Sequence, residues 1–372
     1  MTDTTASESE EREALLERLR GDGARVEEDS APPVARSFGD PEGEYDALTG
    51  AAAVVDDTDR ALIRVTAGRK EGRAHETLSG LLTNHFEATP PDSAVYSFLL
   101  TARGGPVAEL RAIRRQTEDW LDLPAPCVEG TLEHFGKYLP PLFAEYRVDP
   151  SLGRLGLVGP RADEALRSAA PDVEPGELGP LEGTLATVAG TEVLVLRRDA
   201  VDDPGADLYV PMDRAAALWE RLTAAAREVG GGPAGRAARE VRRVELGIPA
   251  YGSEIDEGTL PQETGQTDRA VSFEKGCYTG QEVVVRIEHR GQVNRHLRGL
   301  ELTGHGGELP EPGTPLHDGE RERGTVTTAV RSPRRGPIAL GYVRREVEPG
   351  DRLSLEPGGE PTCRVLRLPF GD

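Results

Sequence analysis

The feature that most constrains the fold is a change in the sequence pattern near residue 290. Beyond that point the chain consists of short runs of alternating apolar residues that are separated by Gly and Pro. The runs lie at 297–302, 324–330, 338–343, 353–355 and 363–368. Regular short runs of this kind predict a small antiparallel β-barrel or sandwich in the C-terminal part of the chain.

Before residue 290 the apolar residues follow two different periods, which predicts helices mixed with strands. Strands are expected at 61–66, 95–101, 155–158 and 192–196. Helices are expected near the N-terminus, from Leu78 to Phe86, at 161–169, at 214–229 and from Pro233 to Gly247. Asp213 stands where the N-cap of the 214–229 helix would be. The pattern alone predicts a mixed region of helices and strands followed by an all-β region, with at most one strand in the connecting segment 22–46.

Length and charge limit the classes of protein to consider. A chain of 372 residues suits two or three domains of common size. Its 44 Lys and Arg against 65 Asp and Glu give a net charge of −21, which opposes general binding to nucleic acid. Only three of the 44 cations are lysine, and this bias suggests a halophilic, salt-adapted source as a hypothesis. A melting temperature that does not rise between low and molar KCl would count against that hypothesis.

The cysteines and the N-terminal sequence indicate a reduced, cytoplasmic protein. Cys127, Cys277 and Cys363 are far apart and form no C-x-x-C pair, so neither a disulfide framework nor a cysteine-only metal site is expected. The first ten residues are polar, and no run approaches about 18 apolar residues. We therefore expect no membrane partner and no resident metal.

The strongest local signal is the string Lys275-Gly-Cys-Tyr-Thr-Gly-Gln-Glu282. A thiol reacts as a thiolate and needs access and a lowered pKa, and Lys275 brings a cation two residues from Cys277. Gly276 and Gly280 remove side chains that would hinder the close approach of a ligand. The alternative is that Cys277 is a buried small hydrophobic residue, which is the usual role of an unpaired cysteine. Cys127 and Cys363 lack such surroundings.

Together with Arg243-Val-Glu245-Leu-Gly-Ile-Pro-Ala-Tyr251-Gly and Leu260-Pro-Gln-Glu263, this string resembles the YgfZ-type branch of the folate-binding family that also contains the GcvT aminomethyltransferases. The resemblance implies an α+β fold with two interwoven GcvT-like folate-binding sub-domains and a C-terminal antiparallel β-barrel. It also implies a strand at 205–210. The implied boundaries are 1–45 for an N-terminal helix and connecting segment, 46–290 for the folate-binding domain and 291–372 for the barrel.

The resemblance also implies a site for tetrahydrofolate or a one-carbon derivative of it. Cys277 and Lys275 would be the working groups. The folate-binding residues would be Tyr96, Glu109, Asp207, Arg243, Glu245, Tyr251 and Tyr278. An arginine fork suits the carboxylate of a glutamyl tail, and a tyrosine ring suits stacking on a pterin. Without the resemblance, Arg243 and Glu245 would be interpreted as solvent-facing helix residues and Tyr278 as a core aromatic residue.

One departure from the aminomethyltransferases decides between two functions. After Gly104 and Gly105 those enzymes show two aspartates, whereas this chain has Ala108 and Glu109. With one acid missing, the sequence favours a tetrahydrofolate-binding protein that supports iron-sulfur cluster assembly or repair in client proteins through Cys277. The alternative is a folate-dependent aminomethyltransferase or demethylase that transfers one-carbon units to tetrahydrofolate.

A basic strip lies at 286–298 in this acidic chain. The segment contains one acidic residue, Glu288, and six basic ones. These are Arg286, His289, Arg290, Arg295, His296 and Arg298. Such a strip could bind a polyglutamyl tail or RNA phosphates, which predicts a weak tRNA contact through Arg286, Arg290 and Arg295. The alternative is a strand that enters the barrel with its arginines on the solvent face.

Overall fold

The computed structural model describes residues 2–28, 30, 32–70, 73–303 and 308–371, with the side chains of residues 2–9 and 290 left out. The chain divides into two compact units, which we call unit 1 and unit 2. Unit 1 comprises Met1–Ser79, His85–Tyr96 and Leu110–Arg239. Unit 2 comprises Gly80–Asn84, Ser97–Glu109 and Glu240–Asp372.

Nine helices occur in the described ranges. They are α1 (Thr2–Gly21), α2 (Pro41–Gly50), α3 (Ala74–Ser79), α4 (Val128–Tyr138), α5 (Ala162–Ala169), α6 (Ala215–Glu228), α7 (Arg236–Leu246), α8 (Thr267–Ala270) and α9 (Gln281–Arg290). Helix α2 shows how local sequence sets a boundary. Asp40 is its N-cap and accepts a hydrogen bond from the Gly43 N–H at 3.1 Å, and Pro41 occupies the first helical position.

The strands of the first 240 residues are β1 (Arg25–Glu27), β2 (Val34–Ser37), β3 (Ala53–Asp56), β4 (Arg60–Ala67), β5 (Ala94–Leu100), β6 (Pro106–Arg114), β7 (Asp119–Pro124), β8 (Ala144–Val148), β9 (Leu152–Val158), β10 (Gly183–Val188), β11 (Thr191–Arg197), β12 (Gly205–Pro211) and β13 (Gly232–Pro233). A six-stranded sheet has the order β10-β11-β12-β9-β3-β13, and a five-stranded sheet has the order β5-β6-β7-β4-β8. Strands β1 and β2 form a separate antiparallel pair.

The core of unit 1 lies against the six-stranded sheet. Apolar faces of α1, α5 and α6 supply Leu15, Leu166 and Trp219, which pack with Leu157 of β9 and Leu208 of β12. All five side chains are less than 2% exposed, so they are removed from water almost completely. This burial is the main stabilising contribution to the unit.

The last six strands form an almost closed antiparallel barrel in unit 2. They are β14 (Arg295–Leu302), β15 (Pro315–Asp318), β16 (Arg321–Ser332), β17 (Gly336–Arg344), β18 (Arg352–Leu353) and β19 (Cys363–Leu366). Their order is β15-β16-β17-β14-β19-β18, and a bridge from His317 to Ser354 connects the two ends. Along each strand every second side chain points into the barrel. The interior is filled by apolar side chains such as Leu300 of β14, Leu316 of β15 and Val326 of β16.

The sequence predictions of the fold are largely confirmed. The expected strands β4, β5, β9, β11 and β12 and the helices α1, α5, α6 and α7 are present, and the C-terminal runs form the barrel. Segment 22–46 contains two strands and the start of α2, which is more structure than expected. The sequence analysis also did not predict the strands β3, β6, β7, β8, β10, β13 and β15 or the helices α4, α8 and α9.

Two local predictions are wrong. The helix expected from Leu78 to Phe86 ends at Ser79 as α3, and Leu82 instead pairs with Leu99 as an isolated bridge. Leu82 and Phe86 are nevertheless fully buried, so apolar spacing imitated a helical period in an irregular segment. Asp213 does not cap α6, because it lies inside a 3₁₀ turn and Arg214 occupies the N-cap position without a side-chain hydrogen bond.

Candidate functional site

The string 275–282 lies in unit 2, where 275–280 is irregular and Gln281 and Glu282 begin α9. Gly280 is the N-cap of α9 with φ of 83°, in the left-handed region that favours glycine. A Cβ at this position would lie 2.6 Å from the carbonyl oxygen of Thr101. Gly280 is therefore required by its own backbone and by its approach to Thr101. A Cβ on Gly276 would meet nothing within 4 Å, so no close contact requires that glycine.

Lys275 and Tyr278 are in contact within this segment. The Lys275 ammonium donates a hydrogen bond to the carbonyl oxygen of Leu82 at 2.5 Å and lies 5.3 Å from the centroid of the Tyr278 ring. Tyr278 is 6% exposed, and its hydroxyl is buried without a hydrogen-bond partner in the described part of the chain. Burial raises the pKa of Tyr278 to about 12, so the hydroxyl stays protonated and can donate to an acceptor.

The three cysteines differ in access. Cys277 is exposed, whereas Cys127 and Cys363 are buried. Burial raises the pKa of Cys363 to about 12, which keeps that thiol protonated and inert. The interpretation of Cys277 as a buried hydrophobic residue is therefore wrong, because solvent reaches it. Its chemical role stays a prediction.

Glu109 and Tyr251 are brought together in unit 2. Glu109 lies on β6 and is 9% exposed, and its Oε1 accepts a hydrogen bond from the Tyr251 N–H at 3.3 Å. Ala108 beside it is fully buried. The turn before β6 is tightly packed, because a Cβ on Gly105 would lie 2.0 Å from the carbonyl oxygen of Glu257. Gly105 thus permits a close approach of two backbone segments.

Arg243 lies on α7 with all five of its N–H donors engaged. Nε and Nη2 donate to the Glu240 carboxylate at 2.9 and 2.6 Å. Nη1 donates to Ile248 O at 2.6 Å and to Glu254 Oε2 at 2.7 Å, and Nη2 also donates to Thr328 Oγ1 at 3.2 Å. A guanidinium has five N–H groups in total, so a folate carboxylate would have to displace one of these acceptors. The assignment of Arg243 as a tail-binding residue stays a prediction that now requires such an exchange.

Glu245 is likewise bonded within its own unit. It is 4% exposed, and its carboxylate accepts hydrogen bonds from Ser332 Oγ on β16 and from the Arg242 guanidinium. These contacts connect α7 to the barrel. They correct the interpretation of Arg243 and Glu245 as solvent-facing helix residues, because both side chains are inside the unit.

Asp207 and Tyr96 belong to unit 1. Tyr96 is 6% exposed on β5. Asp207 is fully buried on β12, and its two oxygens accept hydrogen bonds from Arg111 and Arg198. Burial alone would raise the pKa of Asp207, but Arg198, Arg154 and Arg111 hold it below its ordinary value. Asp207 is therefore an ionised carboxylate that is neutralised by its own chain.

Asp207 is one member of a larger set of buried and partly buried residues that we call the arginine–aspartate cluster. Its members are Asp57, Asp122, Asp202, Asp207, Arg60, Arg111, Arg154, Arg198, Arg239 and Tyr209. Arg154 is 8% exposed and binds Asp122 at 2.5 Å and Asp57 at 2.9 Å. The Tyr209 hydroxyl donates to Asp122 Oδ2 at 2.7 Å. Sequence reasoning missed this cluster because its members are separated by up to 182 residues.

The basic strip is not a continuous strand. Its first part belongs to α9 and its last part to β14, so the alternative of a strand that enters the barrel is correct only from Arg295 onward. Arg286 and His289 line an open cleft of about 700 Å³ with Phe273, Gln281, Glu282 and Val285. The Arg295 Nε donates to Glu263 at 3.1 Å, and its guanidinium lies 4.4 Å from the centroid of the Tyr342 ring. The Arg290 side chain lies outside the described residues, and the tRNA contact stays a prediction.

No helix in the described ranges is both long and apolar enough to cross a membrane.

Comparison with known proteins gives consistent matches over almost the whole chain. Residues 15–275 match the family of the GCVT N-terminal domain, and residues 295–372 match the glycine cleavage T-protein C-terminal barrel domain. An aminomethyltransferase of Moorella thermoacetica is 31% identical over 298 residues, which are 78% of this chain and 79% of that protein. An aminomethyltransferase of Rubrobacter xylanophilus is 31% identical over 300 residues, covering 80% and 78%.

A solved structure shows the same fold. The glycine cleavage system aminomethyltransferase T from Bartonella henselae superposes with a TM-score of 0.83 at 23% identity and covers 96% of this chain and 97% of that one. The predicted α+β class with a C-terminal antiparallel barrel is thereby confirmed. These relatives carry the name aminomethyltransferase, so the comparisons support the wider family and give no support to its YgfZ-type branch.

Proposed function

Because the chain belongs to the glycine cleavage T-protein family, we propose that it binds tetrahydrofolate and transfers a one-carbon unit to it. Relatives of similar length that are 31% identical are named aminomethyltransferases. The proposal replaces the iron-sulfur role as the leading function, although the sequence had favoured that role. It keeps folate as the bound molecule and changes what the protein does with it.

The observation that carries this proposal is the buried carboxylate of Glu109. A pterin presents N–H donors along its amino-pyrimidinone edge, and one carboxylate can accept two of them. Glu109 is 9% exposed and already accepts one N–H, from Tyr251, on Oε1. A carboxylate in such a poorly solvated place would bind donors more strongly than one in water. Glu109 is therefore assigned to orient the ring.

Tyr278 provides a second point of fit. A buried hydroxyl without a partner costs about 1–3 kcal/mol, and an acceptor on a ligand would recover that cost. The Tyr278 hydroxyl is in this situation, and its raised pKa of about 12 leaves it a donor at every physiological pH. Carbonyl oxygens and ring nitrogens of folate are suitable acceptors. Glu109 as acceptor and Tyr278 as donor are together suited to a ligand that has both kinds of group.

Tetrahydrofolate supplies the nucleophilic nitrogens in this chemistry. The methylene carbon of an aminomethyl donor is bonded to an amine nitrogen and to one other atom of the donor. Each of these two bonds is replaced by a bond to a tetrahydrofolate nitrogen, and the two protons that these nitrogens give up leave with the amine and with the rest of the donor. The chain contributes orientation, which by itself can account for a large part of such a rate enhancement. Ala108 carries no charge and is fully buried, so Glu109 would act without a second neighbouring acid.

Calorimetric titration with tetrahydrofolate tests the binding step. Wild type should bind, and Glu109→Gln should bind at least about tenfold more weakly, because the amide loses the charge that strengthens both hydrogen bonds. Glu301→Gln, on a barrel strand and 44% exposed, is the control and should bind like wild type. Equal affinity in wild type and Glu109→Gln would remove Glu109 from the site.

An accessory role in iron-sulfur cluster assembly or repair is the second candidate. It rests on one observation, that Cys277 is a free and exposed thiol inside the string that resembles YgfZ-type proteins. The thiol would act as a nucleophile, a redox partner or a transient metal ligand, with Lys275 as the nearby cation. Cells that carry Cys277→Ser should then lose activity of their iron-sulfur enzymes while the purified variant keeps its folate affinity. Normal enzyme activity in those cells would rule this role out.

A further inference from the structure

A short loop in unit 2 is closed around the carbonyl oxygen of Ala250. The N–H groups of Ser253, Glu254 and Ile255 all donate to that oxygen, at 3.2, 2.9 and 3.1 Å. Gly252 has φ of 88° and donates its N–H to Ile255 O at 2.9 Å. The loop 250–255 is therefore compact. A side chain that fixes one of its residues also restricts the positions of the other residues in the loop.

The Glu254 side chain fixes this loop to two other elements. It is fully buried, and its Oε2 accepts hydrogen bonds from Arg243 Nη1 at 2.7 Å and from the Ala250 N–H at 3.0 Å. Its Oε1 accepts from Thr328 Oγ1 on β16 at 2.6 Å. One carboxylate thus connects α7, the loop and the barrel, and its side chain has no exposed surface. Hydrogen bonds are stronger in such a poorly solvated place.

Two consecutive backbone N–H groups of the loop point to two different carboxylates. The Ala250 N–H donates to Glu254, and the next N–H, of Tyr251, donates to Glu109. Consecutive peptide planes share a Cα atom, so the orientation of one constrains the other. We propose that Glu254 is a positioning residue that aims the Tyr251 N–H at Glu109 and thereby sets the place of the carboxylate that receives the pterin.

This inference takes its ligand, tetrahydrofolate, from the proposed function. The contacts of Glu254 on which it is based do not depend on that function. Nothing in the resemblance pointed to Glu254, because its role depends on Thr328 and Ala250, which are 74 and 4 residues away. The inference also changes the role of Arg243, which the sequence analysis predicted to bind the glutamyl tail of folate. Arg243 would neutralise Glu254 and so act on the ligand through the loop.

A double-mutant cycle tests the coupling in the full chain. Glu254→Gln should weaken tetrahydrofolate binding about tenfold in the wild-type background and have no further effect in Glu109→Ala, because its influence passes through Glu109. Thr328→Val should show the same pattern with a smaller change. Ser354→Ala removes another buried hydroxyl of the barrel and should leave affinity unchanged in both backgrounds. Equal weakening by Glu254→Gln in both backgrounds would overturn the proposal.

Hydrogen exchange separates this inference from the proposed function. In the free protein, Glu254→Gln should speed amide exchange in a peptide that spans 249–256, because the loop loses its charged anchor. If wild type binds no tetrahydrofolate, the proposed function fails, and faster exchange would still support the positioning role of Glu254. Unchanged exchange in Glu254→Gln would overturn that role whatever the titration shows.

Discussion

Tyr209 and Tyr278 are both buried tyrosines, but only the Tyr209 hydroxyl has a hydrogen-bond partner among the described residues. Tyr209 belongs to the arginine–aspartate cluster of unit 1 and donates to Asp122. Tyr278 belongs to the motif segment of unit 2, where its ring contacts Lys275 and its hydroxyl stays unpaired. The first region is bonded internally, and the second retains a donor that a ligand could use.

The two regions also differ in how their carboxylates are bonded. Asp122 and Asp207 are each bonded to two arginines, so their charges are compensated by permanent cations. Glu254 of unit 2 combines one arginine with a backbone N–H and a hydroxyl. A buried carboxylate whose charge is compensated by two arginines is suited to stabilising the core. A carboxylate that binds the backbone of a loop is suited to positioning that loop in a binding site. This difference leads us to place the binding role in unit 2 around Glu109 and Tyr278.

The largest expected effect comes from removing the centre of the cluster. Arg154→Met leaves Asp57 and Asp122 without one of their cations inside the protein, and breaking a buried ion pair costs about 3–5 kcal/mol of unfolding free energy. Urea denaturation should show this loss. Arg167→Met removes an exposed ion pair with Glu174 and should not shift the urea midpoint measurably. A similarly small shift in Arg154→Met would mean that the cluster adds no stability.

The second largest effect is expected at low pH, where the arginine–aspartate cluster should contribute less to the stability of the fold. Arginines hold the pKa values of Asp57, Asp122 and Asp207 below their ordinary range although burial opposes this. Such groups contribute stability that is complete above the unfolded pKa near 4 and is lost as the pH falls below it. Burial raises the pKa of Asp56, which acts in the opposite direction for that one group. The melting temperature should therefore fall steeply below about pH 4, and a flat profile down to pH 2 would contradict this account.

The two tyrosines permit a matched comparison with smaller effects. Tyr209→Phe should lower the unfolding free energy by about 1–3 kcal/mol, because Asp122 loses a donor in a buried place. Tyr278→Phe should cost nothing or stabilise the free protein slightly, because it removes a hydroxyl that has no partner. Chemical denaturation of the two variants in parallel measures the difference. Equal losses would show that the Tyr278 hydroxyl is bonded in solution.

For tetrahydrofolate affinity we expect the opposite order of effects, with the larger loss in Tyr278→Phe. Tyr278→Phe should weaken tetrahydrofolate binding by about fivefold to tenfold, which corresponds to one hydrogen bond, and Tyr209→Phe should leave affinity unchanged. Fluorescence titration of both variants at a temperature well below melting keeps stability from affecting the result. Unchanged affinity in Tyr278→Phe would leave Glu109 without its proposed companion.

Much of the fold could be predicted because it depends on local pattern. The barrel followed from alternation and Gly-Pro spacing, and α6 and α7 followed from helical periods. The segment after α3 could not be predicted, because Leu82 and Phe86 are buried by tertiary contacts without a helix. The domain boundaries at 45 and 290 stay a prediction. The family was predicted from the string 275–282 together with the motifs at 243–252 and 260–263, but these motifs did not determine the branch within the family.

The site could be predicted less completely for a physical reason. A motif names residues, whereas hydrogen-bond partners come from distant parts of the chain. Nothing in the sequence shows that every donor of Arg243 is engaged, since Glu254 and Thr328 are 11 and 85 residues away. The same holds for Asp207, whose partner Arg111 is 96 residues away. Access to Cys277 and burial of Tyr278, one residue apart, also depend on the folded backbone.

The most direct test of the central claim follows a carbon atom. An aminomethyl donor labelled with ¹³C at its methylene carbon is incubated with tetrahydrofolate and the full chain, and the folate is analysed by NMR. We predict that the label appears on tetrahydrofolate with wild type and at a strongly reduced rate with Glu109→Gln. Tetrahydrofolate that stays unlabelled although it binds would contradict one-carbon transfer from this donor class and return the iron-sulfur role of Cys277 to first place.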